Sequence, residues 1–168
     1  MPHKVLISAC LLGERCRFDG GAKPNDAARR LYAVHADMLV PVCPEALGGL
    51  KAPRSASEID ASSERLRVVS AEGEDRTEAF VSGAKACRYI AEETGCRVAV
   101  LKAKSPSCGS GRIYDGTFSH TLTEGWGVAA GVLDAAGIVV IDENRLAELE
   151  AAGRIEDLFS ATVPEDLA

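Results

Sequence analysis

Positive charge is in short supply in this sequence. Among its 168 residues, 19 Lys and Arg stand against 25 Asp and Glu, which gives a formal net charge of -6. Proteins that bind duplex nucleic acid through its phosphates usually present a broad basic face. The composition argues against that class of protein and favours a small-molecule ligand, although it leaves room for a local basic pocket.

The sequence also lacks a long hydrophobic run. A membrane-spanning helix needs about 18 or more apolar residues, and the run from Val5 to Gly13 is about half that long. The segment Ile7 to Cys10 resembles the cleavage box of a bacterial lipoprotein, but the stretch before Cys10 is shorter than the roughly 7–15 residues of a signal-peptide core. We therefore expect a cytoplasmic protein that does not associate with a membrane.

Two common metal-binding patterns are absent. The C-x-x-C pair is typical of zinc ribbons and thioredoxin-like sites. No two of the six cysteines form such a pair. The three histidines form no i, i+4 pair. In a reducing cytoplasm, grouped cysteines more often bind metal or take part in chemistry than form disulfides, so it matters which of the six lie together.

Short apolar strands alternate with amphipathic helices along the chain. One domain is enough for 168 residues with 46% hydrophobic content, and we assign it to residues 1–168 with C-terminal helices in 143–160. The alternation predicts a single-domain, Rossmann-like three-layer α/β sandwich with a mainly parallel sheet. The predicted strands are 5–8, 38–42, 66–69, 98–101 and 138–141, the predicted helices are 25–35, 77–95, 128–136 and 143–152, and 44–57 is predicted as a long loop.

Three cysteines follow predicted strands directly. These are Cys10, Cys43 and Cys108. The carboxyl ends of parallel strands meet at the ligand-binding edge of an α/β sheet, so we expect these three thiols to lie close together. Spacing alone leaves two alternatives open, a metal or cluster site and a set of buried structural thiols.

The other cysteines have different expected positions. Cys87 falls on the apolar stripe of a helix and is expected to be a small buried hydrophobe, whereas Cys96 precedes a strand and is expected at the opposite edge of the sheet. Both should lie far from the three strand-end thiols. Cys16, six residues after Cys10, is either a fourth ligand or a thiol beside the ligands, and we favour the latter.

Five short motifs together carry a family resemblance. They are SACLLG at 8–13, CRFDG at 16–20, PVCPE with GGL at 41–50, SPSCGSG at 105–111 and YDGTF at 114–118. Over about residues 4–141 the chain resembles the thiouracil desulfidase family. Two features depart from the family pattern, because loop 51–57 has fewer prolines and His120 stands where glycine is usual.

The resemblance implies an iron-sulfur enzyme that hydrolyses a carbon–sulfur bond of a thiolated uracil, as free base or nucleoside, and releases hydrosulfide. It implies a 4Fe-4S cluster held by Cys10, Cys43 and Cys108, and an acid–base pair formed by Glu45 and Ser105. Without the resemblance, Glu45 would be interpreted as a surface carboxylate and Ser105 as part of a Ser-Pro turn.

The implied ligand set suits the implied chemistry. Three thiolates on a four-iron cluster leave one iron open as a Lewis acid for a soft thiocarbonyl sulfur, so the reaction needs no electron transfer. Asp19, Arg54 and Asp115 are candidate substrate-binding residues, with an ion-paired loop role as the alternative for each.

Two other functions compete with this hypothesis. One is a non-enzymatic iron-sulfur or zinc protein that senses redox state or metal. The other is a desulfurase acting on thiolated tRNA, which we do not expect because the chain has no basic surface and no room for an added tRNA-binding domain. The sequence leaves the oligomeric state open.

Overall fold

The computed structural model describes all residues, 1–168. Short 3-10 turns at Ala9–Leu12, Ala36–Met38 and Ile155–Phe159 join or follow the regular elements. No helix has both the length and the apolar character needed to cross a membrane. In chain order the elements are β1 Lys4–Ser8, α1 Asp26–His35, β2 Leu39–Val42, α2 Pro44–Leu47, β3 Ser57–Ile59, β4 Val68–Ser70, α3 Thr77–Thr94, β5 Cys96–Leu101, β6 Arg112–Tyr114, β7 Leu122–Glu124, α4 Val128–Ala135, β8 Val139–Asp142 and α5 Glu143–Ala151.

A four-stranded parallel sheet forms the centre of the protein. Its strand order is β2-β1-β5-β8, and Val5 of β1 lies opposite Leu39 on one side and Val98 on the other. Two antiparallel hairpins, β3–β4 and β6–β7, lie outside this sheet. The predicted mainly parallel α/β arrangement is confirmed, whereas strands β3, β6 and β7 and the short helix α2 were not predicted.

Apolar side chains project from both faces of the sheet, because successive residues of a strand point in opposite directions. Val5 and Ile7 pack in one cluster with residues of α1 and α5. Leu6 packs on the other face in a cluster that includes Cys87 of α3 and Leu133 of α4. The helices therefore cover both faces and confirm the predicted three layers.

Local signals in the sequence set the helix boundaries. The Asn25 side chain accepts a hydrogen bond from the Ala28 N–H at 3.0 Å and so starts α1. Asp142 likewise accepts from Asn144 and Arg145 at the start of α5. Gly95 adopts a φ of 71° at the end of α3, a left-handed conformation that favours glycine.

The strand order creates an opening at one edge of the sheet. From β1 the chain moves to β2 on one side, and it later returns to place β5 on the other side of β1. Crevices for ligands form at the carboxyl ends of strands where the winding direction reverses. The segments after β1, β2 and β5 therefore meet at one place.

Helices α2 and α3 pack backbone to backbone. A Cβ atom built on Gly83 would collide with the Pro44 carbonyl oxygen, and one built on Gly48 would collide with the Ala79 carbonyl oxygen. Only glycine permits this approach. The contact fixes α2, and with it Cys43 and Glu45, against a long helix.

We expect Gly83→Ala to destabilise the protein by about 1–3 kcal/mol, because the added methyl group has no room. Gly131→Ala is the matched control: it also lies in a helix, and its nearest neighbour would be Trp126 Cβ at 3.8 Å. That control should raise stability by about 0.5–1 kcal/mol. Urea denaturation of both variants measures the difference, and equal stability of the two would contradict the close-packing account.

A thiol-lined candidate active site

A cavity of about 450 Å³ opens at the carboxyl ends of the central strands. Cys10 reaches it from the turn after β1, Cys43 from the position just before α2, and Cys108 from the loop after β5. The structure thus brings the three strand-end cysteines onto one cavity, as strand polarity predicts. Their role as ligands stays a prediction.

Cys16 is a fourth thiol in the same cavity. Its thiol lies near enough to the thiols of Cys10 and Cys43 for both to influence its pKa. Its carbonyl oxygen accepts hydrogen bonds from Cys43 Sγ at 3.7 Å and from Arg54 Nη2 at 3.3 Å. Cys16 is therefore in direct contact with Cys43, one of the candidate ligands.

Cys16, Cys43 and Cys108 have raised pKa values. Hydrogen bonding to Cys10, together with burial, raises the pKa of Cys16 to about 11. Hydrogen bonding to Cys16 and burial raise the pKa of Cys43 further. Burial raises the pKa of Cys108 to about 12, and hydrogen bonds from Ser8 and Ser107 offset part of this effect. A metal or cluster that binds these sulfurs must displace protons.

The donor set fits an iron-sulfur cluster. All six cysteines are free thiols, and soft thiolates are the ligands that cluster irons prefer. No three His, Cys, Asp or Glu side chains converge on a single metal ion. A four-iron cluster does not require such convergence, because each thiolate binds a different iron.

A hydrogen-bonded network lies beside the thiols. Glu45 Oε1 accepts from Arg54 Nη2 at 2.9 Å and from Arg54 Nε at 3.3 Å. Glu45 Oε2 accepts from Ser107 Oγ at 2.9 Å, and Ser107 Oγ lies 3.0 Å from Ser105 Oγ. Glu45 and Ser105 both line the cavity, so the structure brings the two predicted acid–base residues together through a third residue.

The three candidate substrate-binding residues lie outside the lining. The Arg54 side chain is only 6% exposed. It binds Glu45 and the Cys16 carbonyl oxygen, so it holds two residues of the lining in position without lining the cavity itself. Asp19 accepts from the Gly21 N–H at 2.9 Å, and Asp115 accepts from Thr117 in a tight turn. The structure does not bring Asp19 or Asp115 to the cavity.

Sequence reasoning missed several lining residues. Lys102 and Lys104 follow β5 directly, so the strand-end rule that selected the cysteines would also have found them. Tyr114 and His120 come from the β6–β7 hairpin and meet edge to face, with ring centroids 6.1 Å apart. His120 has a φ of 59°, a backbone conformation in which glycine is favoured. The sequence marked this position as a departure from the family pattern but did not place it in the cavity lining.

The expectation for Cys87 needs a correction. It is fully buried, as predicted, but it lies one helical turn after Gly83, whose backbone packs against Pro44 next to Cys43. Its thiol is close enough to Cys108 and Cys43 that their charges add to the effect of burial in raising its pKa. The prediction that Cys87 lies far from the site was therefore wrong, because the apolar stripe of α3 faces the end of the sheet where the cavity opens. Cys96 begins β5, at the amino end of that strand as predicted.

Known proteins match nearly the whole chain. A sequence model described as 2-thiouracil desulfurase matches residues 5–145. The uncharacterized protein YbbK of Bacillus subtilis strain 168 is 40% identical over 151 residues, which cover 86% of this chain and 99% of the relative. A solved structure described as the [4Fe-4S]-dependent thiouracil desulfidase TudS is 38% identical, with a TM-score of 0.79, and the match covers 89% of this chain and 97% of that one.

The raised thiol pKa values predict an unusual pH dependence of alkylation. In the cluster-free protein, the rate at which iodoacetamide labels Cys16 should keep rising up to about pH 11, because the thiolate forms only as its pKa is approached. The same residue in denatured protein should level off above its ordinary pKa of about 8.5. Mass spectrometry of peptides labelled at successive pH values measures both curves. A plateau near pH 9 in the folded protein would contradict the raised pKa of Cys16.

Proposed function

The chain belongs to the 2-thiouracil desulfurase family, and on that premise we propose that it is a non-redox, 4Fe-4S-dependent desulfidase. It replaces the sulfur of a thiolated uracil with oxygen from water, and it releases a uracil-type product and hydrosulfide. We take residues 1–168 as one desulfidase-like domain. The observation that carries the proposal is one cavity that combines strand-end thiols with Glu45 and Ser105.

Cys10, Cys43 and Cys108 are the proposed ligands of the cluster. They come from three different strand ends, so each thiol approaches the cavity from its own direction. When bound, the cluster supplies an iron without a protein ligand, a Lewis acid that draws electron density from the thiocarbonyl carbon through its sulfur. Cys16 is proposed to lie beside the ligands and to hydrogen-bond with them.

Glu45 and Ser105 handle water and its proton. Both line the cavity near Cys43 and Cys108. Arg54 binds one carboxylate oxygen of Glu45, which fixes its orientation and leaves the other oxygen to accept a proton. Water adds to the ring carbon, its proton passes toward Glu45, and the carbon–sulfur bond then breaks.

A small thiolated base or nucleoside is the proposed substrate. The cavity volume of about 450 Å³ falls within the roughly 300–1,000 Å³ typical of small-molecule sites. The net charge of -6 disfavours tRNA, whose phosphates attract basic surfaces. We place the reaction in the cytoplasm, where thiols stay reduced and can accept iron.

Sulfide release tests this function directly. We expect protein reconstituted with iron and sulfide without oxygen to be brown and to release sulfide from thiolated uracils and their nucleosides, with little release from thiolated tRNA. Protein without a cluster is the control. A brown protein that releases no sulfide from any of these substrates would contradict the enzyme and favour a sensor.

Single cysteine variants test the ligand set. Replacing Cys10, Cys43 or Cys108 by Ser should in each case abolish stable iron binding, because serine offers a hard and poorly ionised oxygen. Cys96→Ser is the matched control and should keep full iron content, since Cys96 lies at the amino end of β5. Iron and sulfide counts under anaerobic conditions measure the outcome.

Two further variants refine the result. Cys87→Ser should keep the cluster but cost about 1–3 kcal/mol of stability, because it buries a hydroxyl group in an apolar cluster. Cys16→Ser should keep the cluster if the site has three protein ligands. Full iron content in Cys43→Ser would disprove the proposed site.

A further inference from the structure

We propose that Ser107 relays a proton between Ser105 and Glu45 during water attack, so that these three residues act as one unit. The inference rests on the proposed function and adds a residue to it. Ser107 is only 2% exposed and does not line the cavity. It would therefore act on the reaction through its neighbours and not by touching the substrate.

The distances make Ser107 the link in the network. Its Oγ lies 2.9 Å from Glu45 Oε2 and 3.0 Å from Ser105 Oγ. No hydrogen bond joins Glu45 directly to Ser105. A third contact, from Ser107 Oγ to Cys108 Sγ, is longer at 3.7 Å, and a sulfur atom is a weak acceptor. The path between Glu45 and Ser105 therefore runs through Ser107.

Backbone donors orient the hydroxyl of Ser105. Its Oγ accepts from the N–H groups of Ser107 and Cys108, both at 3.1 Å. Because a hydroxyl oxygen has two lone pairs and one proton, these two bonds fill its accepting capacity. Its proton is left to be donated, and within the protein the acceptor at hand is Ser107 Oγ.

The Glu45 carboxylate orients the hydroxyl group of Ser107, at the other end of the path from Ser105. An ionised carboxylate only accepts hydrogen bonds, so Ser107 must donate its own proton to Glu45 Oε2. Arg54 occupies Glu45 Oε1 and so keeps Oε2 turned toward Ser107. The hydroxyl protons of Ser105 and Ser107 therefore both point along the path toward Glu45, and such aligned hydrogen bonds polarise one another.

This alignment describes a balanced proton transfer. As the water oxygen bonds to the ring carbon, water takes the place of one of the two N–H donors at Ser105 Oγ and gives that oxygen one proton. Ser105 gives its own proton to Ser107, and Ser107 gives its own to Glu45. The carbon–sulfur bond then breaks, and sulfur leaves as hydrosulfide with the proton of the newly added hydroxyl group. Glu45 later returns its proton to solvent, and no electrons are exchanged.

Kinetics of Ser107 variants separate the relay from direct proton transfer to Glu45, which also lines the cavity. If the relay operates, Ser107→Ala should lower kcat by about 10²-fold or more with KM and iron content unchanged. Ser107→Thr, which keeps the hydroxyl, should recover most of the rate. Ser110→Ala is the matched control, because Ser110 lies in the same loop, outside the network and the lining.

A double variant tests whether the residues act together. Residues that act as one unit show strongly non-additive effects, so Glu45→Gln combined with Ser107→Ala should be little worse than Glu45→Gln alone. Fully additive losses, or a Ser107→Ala kcat within twofold of the wild type, would overturn the relay. Wild-type turnover in the same experiment shows whether the proposed function itself holds.

A spectroscopic measurement on cluster-free protein gives a readout independent of turnover. Isotope-edited infrared spectra assign the Glu45 carboxylate band by its loss in Glu45→Gln. The band should shift in Ser107→Ala, return in Ser107→Thr and stay unchanged in Ser110→Ala, because only the first variant removes the hydrogen bond to Oε2. An unmoved band in Ser107→Ala would show that the hydrogen bond, and with it the relay, does not exist.

Discussion

Parallel pairing of β1 with β2 on one side and β5 on the other is the constraint on which the rest of the structure depends. It brings three carboxyl strand ends to one edge, and the segments that follow them carry the thiols. Ser8, at the end of β1, reinforces the arrangement by accepting from the Lys102 N–H at 2.9 Å and donating to Cys108 Sγ at 3.4 Å. The ends of β1 and β5 are thus linked by side-chain as well as backbone bonds.

The site separates two chemical tasks. The cysteines form a soft donor set, and the thiol of Cys108 accepts hydrogen bonds from nearby hydroxyl groups. Beside them, Glu45 is a largely buried carboxylate whose charge is balanced by Arg54 at 2.9 Å. Loss of one member of such a pair leaves a buried charge without compensation. The proposed cluster and the proposed proton path therefore lie side by side, with Cys108 and Ser107 as neighbours in one loop.

Interactions that are local in sequence were predictable. The apolar spacing of α3, its end at Gly95 and the Asn25 cap of α1 all appear where the sequence indicates them. Strand polarity also grouped Cys10, Cys43 and Cys108 and separated Cys96. Strands β3, β6 and β7 escaped prediction because strands of three residues carry too little periodicity. The roles of Glu45 and Ser105 came from the family resemblance, since neither spacing nor residue type distinguishes them from ordinary loop residues.

The sequence by itself determined the fold class, the edge of the sheet that carries the thiols and the family. Repeating apolar patterns and strand polarity encode those properties within short segments. Only the tertiary structure decided the strand order β2-β1-β5-β8, the place of Cys87 beneath the site and the position of Ser107 between Glu45 and Ser105. These three features depend on contacts between residues far apart in the chain. The distance between such side chains is set by how separate helices, strands and loops pack together, and a local sequence pattern does not encode it.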